Sequence, residues 1–149
     1  MNSNAATLRA FFARIWNSRD FGAIPEFLAP VYEVRSDPGD AWHGQTLDHA
    51  GFLARIRKSM APVPDLEFTI VETVAQRDRV AVSWTMSGTH QGPLGPSGGP
   101  RRFEDVPGLT IYSFTDGKIS GHWQVVDRMG LMRQFGLLPS EPPASQGTR

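Results

Sequence analysis

The spacing of apolar residues changes after Met60 from mainly helical to mainly that of strands, and that change limits the folds open to this chain. Before Met60, apolar side chains recur at helical spacing, most clearly over residues 4–18, with Ser3 as the expected N-cap. A break with two prolines follows at residues 61–65, and residues 80–87 then alternate with the period of two that is typical of strands. The sequence therefore predicts an α+β fold, in which N-terminal helices pack over one face of a curved, mostly antiparallel sheet and enclose a pocket.

The remaining elements follow from the same patterns. We predict further helices at residues 21–28, 46–60 and 128–136, with Thr46 as a candidate N-cap of the second of these, and strands at residues 31–35, 66–74, 80–90, 101–114 and 118–127. Residues 92–100 are rich in glycine and proline and are expected to form a loop at the rim of the pocket, or a lid over it. A chain of 149 residues is predicted to be a single domain, over residues 1–138, with a flexible proline-rich tail at residues 139–149.

The composition limits the partners that this chain is expected to have. Fifteen basic residues balance fifteen acidic ones, which argues against binding to nucleic acid. No apolar run is long enough to cross a bilayer, and the first residues lack the features of a secretory signal, so we expect a cytoplasmic protein without membrane contact. The absence of cysteine excludes disulfides and thiolate chemistry, and the histidine spacing predicts no metal site.

The pairing of the last two predicted strands decides which side chains face the pocket. A three-residue turn at residues 115–117 would pair Leu109 with Trp123. Because cross-strand partners share a face, the pocket side would carry Leu109, Ile111, Ser113, Ile119, Trp123, Val125 and Asp127. The opposite side would carry Thr110, Tyr112, His122, Gln124 and Val126, and we expect it to form a dimer interface. A two-residue turn at residues 116–117 would shift the register by one residue and change these partners.

Two polar residues are candidates for catalysis. Asp127 ends the last predicted strand, and a carboxyl group that points into an apolar interior has a raised pKa suited to acid/base work. It also precedes the last helix, where aspartate is a favoured N-cap, so both interpretations stay open. His90 has the parity of the inward-facing residues of its strand and is expected to bond to Asp127 or to a substrate carbonyl, or simply to loop carbonyls. The side chains expected to line the pocket are Phe12, Trp16, Trp84, Ile111, Ser113, Trp123 and Val125.

Several segments resemble the SnoaL-like polyketide cyclases of the nuclear transport factor 2-like superfamily. They are PDL at residues 64–66, GTHQG at 88–92, DGKI at 116–119, HW at 122–123 followed by Asp127, and LMRQFG at 131–136. The resemblance extends over about residues 5–138 and implies a cone-shaped α+β barrel, a homodimer formed through the outer sheet face, and no metal or cofactor. It also implies that Asp127 is the acid/base of an aldol ring closure, with Ile111 and Ser113 where such cyclases have polar side chains.

The leading hypothesis is a cofactor-free enzyme that acts on a hydrophobic carbonyl compound. Asp127 would take a proton from the carbon beside the carbonyl, His90 would stabilise the enolate, and ring closure, isomerisation or hydrolysis would follow. A non-catalytic module that binds a small ligand and dimerises is the alternative. A third reading, the opening of an epoxide, needs two carboxylates bridged by an arginine, for which Arg35 and Asp37 are the nearest candidates.

Overall fold

The structure is a computed structural model that describes residues 3–94 and 98–139. Its helices are α1 (Ser3–Phe11), α2 (Ile24–Phe27), α3 (His49–Met60) and α4 (Arg128–Gln134). Its strands are β1 (Leu28–Ser36), β2 (Thr46–Leu47), β3 (Glu67–Gln76), β4 (Arg79–His90), β5 (Arg101–Thr115) and β6 (Lys118–Val126). Residues 95–97 of the predicted lid and residues 140–149 of the predicted tail lie outside the described residues.

The strands form one open sheet in the order β2–β1–β6–β5–β4–β3. Strands β1 and β6 run parallel, and the other neighbouring pairs are antiparallel. This arrangement confirms the predicted α+β fold with a mostly antiparallel sheet. In the described ranges, no helix combines the length and the apolar character needed to span a bilayer.

The helices bury their apolar faces against one side of this sheet. Leu8, Phe11 and Ile15 are fully buried, and so are Phe52 and Ile56 of α3. Residues Phe12–Asn17 continue α1 as a π-helical turn, a form that is common near functional sites. This turn is tied to β3, because the Asn17 side chain donates to the Phe68 carbonyl at 2.9 Å and accepts from the Phe68 N–H at 2.9 Å.

The hairpin between β5 and β6 differs from the prediction in two ways. Asp116 and Gly117 form a two-residue turn with positive φ angles of 51° and 78°, as in the turns that suit tight hairpins. A bulge at Ser120 then shifts the register, so that Ile119 pairs with Phe114, whereas Trp123 pairs with Ile111. An extra residue reverses the side on which the following side chains lie. Ile119 and His122, three residues apart, are therefore both buried.

The predicted pocket face of this hairpin is consequently wrong. Leu109, Ile111, Trp123 and Val125 lie on the outer side of the sheet, each between 37% and 43% exposed. The side that faces the helices carries Tyr112, His122, Gln124 and Val126 instead. Gly121 follows the bulge at a point where a Cβ atom would lie 2.7 Å from the Glu33 carbonyl oxygen, so only glycine lets β1 pack this closely beside β6.

The start of α3 also differs from the prediction. Asp48, rather than Thr46, is the N-cap, and its Oδ1 accepts a hydrogen bond of 2.7 Å from the Gly51 N–H. Thr46 belongs to β2, which pairs with β1 at Glu33. The short strand β2 therefore leaves β1 and leads directly into the helix that covers the sheet.

Candidate active site

A cavity of about 280 Å³ lies between the helices and the inner face of the sheet. One part of its wall is aromatic and consists of Phe12, Trp16, Phe52, Phe68, Trp84 and Tyr112. The other part is polar and consists of Tyr32, Asp40, Arg55, His122, Gln124 and Arg128. A ligand in this cavity would therefore have apolar rings at one end and polar contacts at the other.

Asp37 is the buried carboxylate on which the polar part of the wall depends. Its side chain is 1% exposed, and its Oδ2 accepts from Arg55 Nη2 at 3.2 Å, His122 Nε2 at 2.8 Å and Gln124 Nε2 at 3.1 Å. Its backbone N–H donates to His43 Nδ1 at 2.8 Å. Asp37 follows β1 and reaches β6 because these strands are neighbours in the sheet.

His122 is held between Asp37 and Tyr32. A carboxylate can only accept, so Nε2 carries the proton that is donated to Asp37, and Nδ1 accepts from the Tyr32 hydroxyl at 2.5 Å. Burial lowers the pKa of His122, which favours the neutral imidazole, although the hydrogen bond to Asp37 acts in the opposite direction. Burial also raises the pKa of Tyr32 well above its ordinary value, so this phenol stays protonated and able to donate.

Arg55 links two carboxylates at the same end of the cavity. Its Nη2 lies 3.2 Å from Asp37 Oδ2 and 3.2 Å from Asp40 Oδ2, and its side chain is almost fully buried. Two buried polar atoms of this cluster have no hydrogen-bond partner in the described part of the chain, namely Arg55 Nε and Asp37 Oδ1. Unpaired buried atoms of this kind are costly and mark places where a ligand or a water molecule would bind.

A chain of hydrogen bonds runs from this cluster along the sheet. Trp84 Nε1 donates to Thr110 Oγ1 at 2.9 Å, and Thr110 donates to Gln124 Oε1 at 2.7 Å. Because Gln124 accepts through its oxygen on one side, its amide nitrogen is directed towards Asp37 on the other. The orientation of each polar group is thereby fixed by its neighbours before any ligand binds.

Comparison with known proteins agrees with this architecture. The profile of the family described as SnoaL-like polyketide cyclase matches residues 6–135. The chain belongs to the SnoaL-like polyketide cyclase family. A search of curated proteins found no match.

Several solved structures are similar to this protein over nearly the whole chain. A candidate polyketide cyclase from Acidithiobacillus ferrooxidans is 31% identical, with a TM-score of 0.80 over 91% of this chain and 95% of that one. TsrD from Streptomyces laurentii is 31% identical, with a TM-score of 0.71 over 91% and 96% of the two chains. IdmH from Streptomyces antibioticus, a candidate polyketide cyclase, is 26% identical, with a TM-score of 0.70 over 91% and 99%. The family and these structures support a small-molecule fold of the cyclase or isomerase type.

The structure separates the predicted pocket residues into two groups. Phe12, Trp16 and Trp84 line the cavity, and their contact with a substrate stays a prediction. Ile111, Trp123 and Val125 lie on the outer face of the sheet and do not line the cavity, because the bulge at Ser120 shifts the register of the hairpin. Ser113 is buried but lies beside Gly121 in the sheet and is not part of the cavity wall.

The predicted catalytic pair does not meet in this SnoaL-like site. Asp127 is exposed, and its Oδ1 accepts from the Gly130 N–H at 2.9 Å, as the N-cap of α4. Of the two open interpretations of Asp127, the N-cap is therefore confirmed, and the orientation into the core is wrong because the cap directs the side chain along the helix start. His90 is half-buried, packs against the ring of Phe135 and has its Nδ1 at 3.4 Å from the Gly92 carbonyl. The catalytic roles of both residues stay predictions.

Asp37 and His122 are central to the polar cluster, but the sequence predicts other places for them. It predicts His122 on the outer face and Asp37 beside Arg35, whose side chain instead pairs with Glu33 at 3.2 Å. The carboxylate pair bridged by an arginine does exist, but its members are Asp37, Arg55 and Asp40. A usable signal was the pair of acidic residues on either side of Pro38 and Gly39, since such a turn places two carboxylates together.

Proposed function

We propose that this protein is a cofactor-free enzyme that removes a proton from the carbon beside the carbonyl group of a hydrophobic molecule. The observation that supports this proposal most strongly is the pair of Tyr32 and His122 at the cavity wall, with the buried Asp37 bonded to the other side of His122. A base oriented by a buried carboxylate and joined to a hydroxyl group follows the same logic as the catalytic triads of hydrolases.

The proton would move along the existing hydrogen bonds. As the carbon–hydrogen bond breaks, its proton passes to Tyr32 Oη, and the phenol proton passes to His122 Nδ1. The electron pair of the broken bond stays on the substrate as an enolate. Asp37 accepts from Nε2 and stabilises the imidazolium that forms, so no free phenolate is required.

Arg55 would stabilise the negative charge of the enolate. It lines the cavity, and its Nε donor is unpaired among the described residues. A buried cation that is directed at a developing oxyanion is effective because little water competes with it. The enolate can then attack a second carbonyl and close a ring, or take the proton back at another carbon as an isomerisation.

The size of the cavity indicates a substrate with about two rings. A dry cavity of about 150 Å³ holds one benzene ring, and this cavity measures about 280 Å³. Aromatic side chains of the wall would contact such rings edge to face, as Phe68 and Trp84 contact each other with centroids 5.1 Å apart. We therefore propose a two-ring ketone as the minimal substrate.

The hydration of an epoxide is a second candidate, and the Arg55 bridge favours it. In that reaction one carboxylate of Asp37 and Asp40 would take a proton from water while the other, protonated, would donate one to the epoxide oxygen. The water oxygen would form the new carbon–oxygen bond as the ring opens. The bridge at 3.2 Å to each carboxylate supplies the pair that this chemistry needs.

Exchange of a carbon-bound proton tests the main proposal without knowledge of the natural substrate. The two-ring ketone 2-tetralone would be incubated with the protein in deuterium oxide, and the loss of the protons beside the carbonyl would be followed by NMR. We expect the wild type to accelerate exchange and His122→Gln to reduce that acceleration by about 100-fold or more. Tyr32→Phe should also reduce it, because the phenol carries the proton.

Two further variants serve as controls for this experiment. His90→Gln and Asp127→Asn alter the residues predicted from the sequence to be catalytic, and if the proton moves through His122 instead, both variants keep exchange at the wild-type rate. Exchange that survives in His122→Gln but is lost in Asp127→Asn would overturn the assignment to His122. Binding of 2-tetralone without accelerated exchange would favour a ligand-binding module, and hydration of 1,2-dihydronaphthalene oxide without exchange would favour the second candidate.

We also propose that the protein is a homodimer formed through the outer sheet face. Leu109 pairs with Val125 and Ile111 pairs with Trp123, so four large apolar side chains form one exposed patch on β5 and β6. Contiguous apolar patches on a sheet face are typical of protein interfaces. The face is the outer one, as predicted, but its residues are those first assigned to the pocket. The cytoplasmic location stays a prediction.

A further inference from the structure

Arg128 joins the terminal helix to the turn that carries Asp37. It is the first residue of α4, lines the mouth of the cavity and has a side chain that is 44% exposed. Its Nε donates to the Pro38 carbonyl oxygen at 3.1 Å, and its Nη2 lies 3.9 Å from Asp37 Oδ1. The same side chain thus contacts the backbone of the turn and faces its buried carboxylate.

The contact between this guanidinium and the turn is close. Gly39 has a φ angle of +91°, and a Cβ atom there would lie 2.4 Å from Arg128 Nε. The backbone conformation favours glycine at this position, and a larger residue would displace the Arg128 side chain. Arg128 therefore packs directly on the backbone of the turn.

Asp127 fixes the other end of this contact. Its carboxylate accepts from the Gly130 N–H at 2.9 Å and closes the first turn of α4. A Cβ atom on Gly130 would lie 2.2 Å from Asp127 Oδ2, so the cap and the helix are also tightly packed. The direction in which Arg128 leaves the helix depends on this cap.

We infer that Arg128 is a positioning residue of the site, which holds the turn at residues 37–40 and thereby the contact between Asp37 and His122, while Asp127 holds Arg128. This inference rests on the proposed function. The buried Oδ1 of Asp37, which has no hydrogen-bond partner among the described residues, faces Arg128 across the 3.9 Å gap. Arg55 is shared between Asp37 and Asp40 and so only partly neutralises Asp37. Arg128 therefore balances part of the remaining negative charge of Asp37.

Loss of Arg128 should also change the titration of His122. The titratable and charged groups around His122 are Tyr32 from β1, Asp37 and Asp40 from the turn, Arg55 from α3 and Tyr112 from β5, and Arg128 from α4 acts on it through Asp37. Although burial lowers the pKa of His122, the hydrogen bond from His122 to Asp37 raises it. Replacement of Arg128 by a neutral residue should release the turn, weaken this bond and therefore lower the pKa of His122, whereas lysine, which can still donate to the Pro38 carbonyl, should not.

The test measures the titration of His122 directly. The protein has four histidines, and comparison with His122→Gln identifies the imidazole signal of His122 in an NMR titration of protein labelled at histidine. We expect Arg128→Gln to lower the pKa of His122 by about half a pH unit or more, and a raised pKa would contradict the inference. Arg128→Lys and the control Arg133→Gln, on the same helix, should leave it unchanged. An equal titration in Arg128→Gln and the wild type would overturn the inference.

A second pair of variants tests the part played by Asp127. Asparagine is as good an N-cap as aspartate, so Asp127→Asn should keep the His122 titration, while Asp127→Ala should shift it in the direction of Arg128→Gln. The same titration in Asp127→Ala and the wild type would refute this part. These measurements need no turnover and are therefore independent of the exchange experiment. In that experiment, full activity of His122→Gln would contradict the proposed function.

Discussion

Replacement of Asp37 by asparagine should destabilise the fold strongly, although the two side chains have the same shape. Asp37 is buried, and its Oδ2 accepts three hydrogen bonds, from Arg55, His122 and Gln124. Asparagine keeps one acceptor oxygen but removes the negative charge, so among residues 3–94 and 98–139 the buried Arg55 keeps only Asp40 as an ionic partner. Hydrogen bonds to a charged group contribute about 1.5–3 kcal/mol each, and loss of one partner of a buried pair costs about 3–5 kcal/mol. Because asparagine retains part of these contacts, we expect a loss of about 2–3 kcal/mol.

Urea denaturation and thermal unfolding would measure this loss. For a protein of this size, the midpoint of thermal unfolding should fall by about 4–12 °C. Asp78→Asn is the matched control, because Asp78 forms an exposed ion pair with Arg79 at 3.0 Å and such pairs contribute at most about 1 kcal/mol. If Asp37→Asn were no less stable than Asp78→Asn, the view that Asp37 holds the cluster together would have to be abandoned.

Three further predictions concern packing, pH and assembly. Gly108→Ala should cost about 1–3 kcal/mol in urea denaturation, because a Cβ atom there would lie 2.2 Å from the Trp84 ring, and Gly22→Ala, with open space, should cost far less. Since burial lowers the pKa of His122, the unfolded chain binds a proton below about pH 6.5 that the folded chain does not, so stability should fall as the pH drops below that value. His122→Gln should flatten this dependence, and an unchanged slope would refute it. Trp123→Glu should convert a dimer to a monomer in analytical ultracentrifugation, and a dimer of unchanged strength would exclude the outer face as the interface.

The succession of elements could be predicted from the sequence because it depends on local periodicity. The helices before Met60 and the strands after Leu66 follow from apolar spacing, and the structure places them close to the expected residues. The N-cap of α3 cannot be identified from the sequence alone, because both Thr46 and Asp48 are suitable capping residues. Only the pairing of Thr46 with Glu33 in the sheet decides between them.

The side on which the last strand places its residues could not be predicted, for a physical reason. Both faces of β6 carry an aromatic or branched side chain, so hydrophobicity does not distinguish them. The predicted pocket face consists of every second residue from Ile119, and Ile119 itself is buried as expected. One additional residue at Ser120 then exchanged Trp123 and His122 between the faces. A bulge of this kind leaves no reliable mark in a single sequence.

The parallel contact between the first and the last strand has a consequence for how the protein matures. Tyr32 and Asp37 meet His122 across sequence separations of 90 and 85 residues, so the cluster cannot assemble until almost the entire chain has been synthesised. Long-range pairing of this type is slow because a large loop must close before any contact forms. On the ribosome, the aromatic face of α1 and the edge of β1 would stay exposed until β6 emerges. In that interval they would be the surfaces that a chaperone protects.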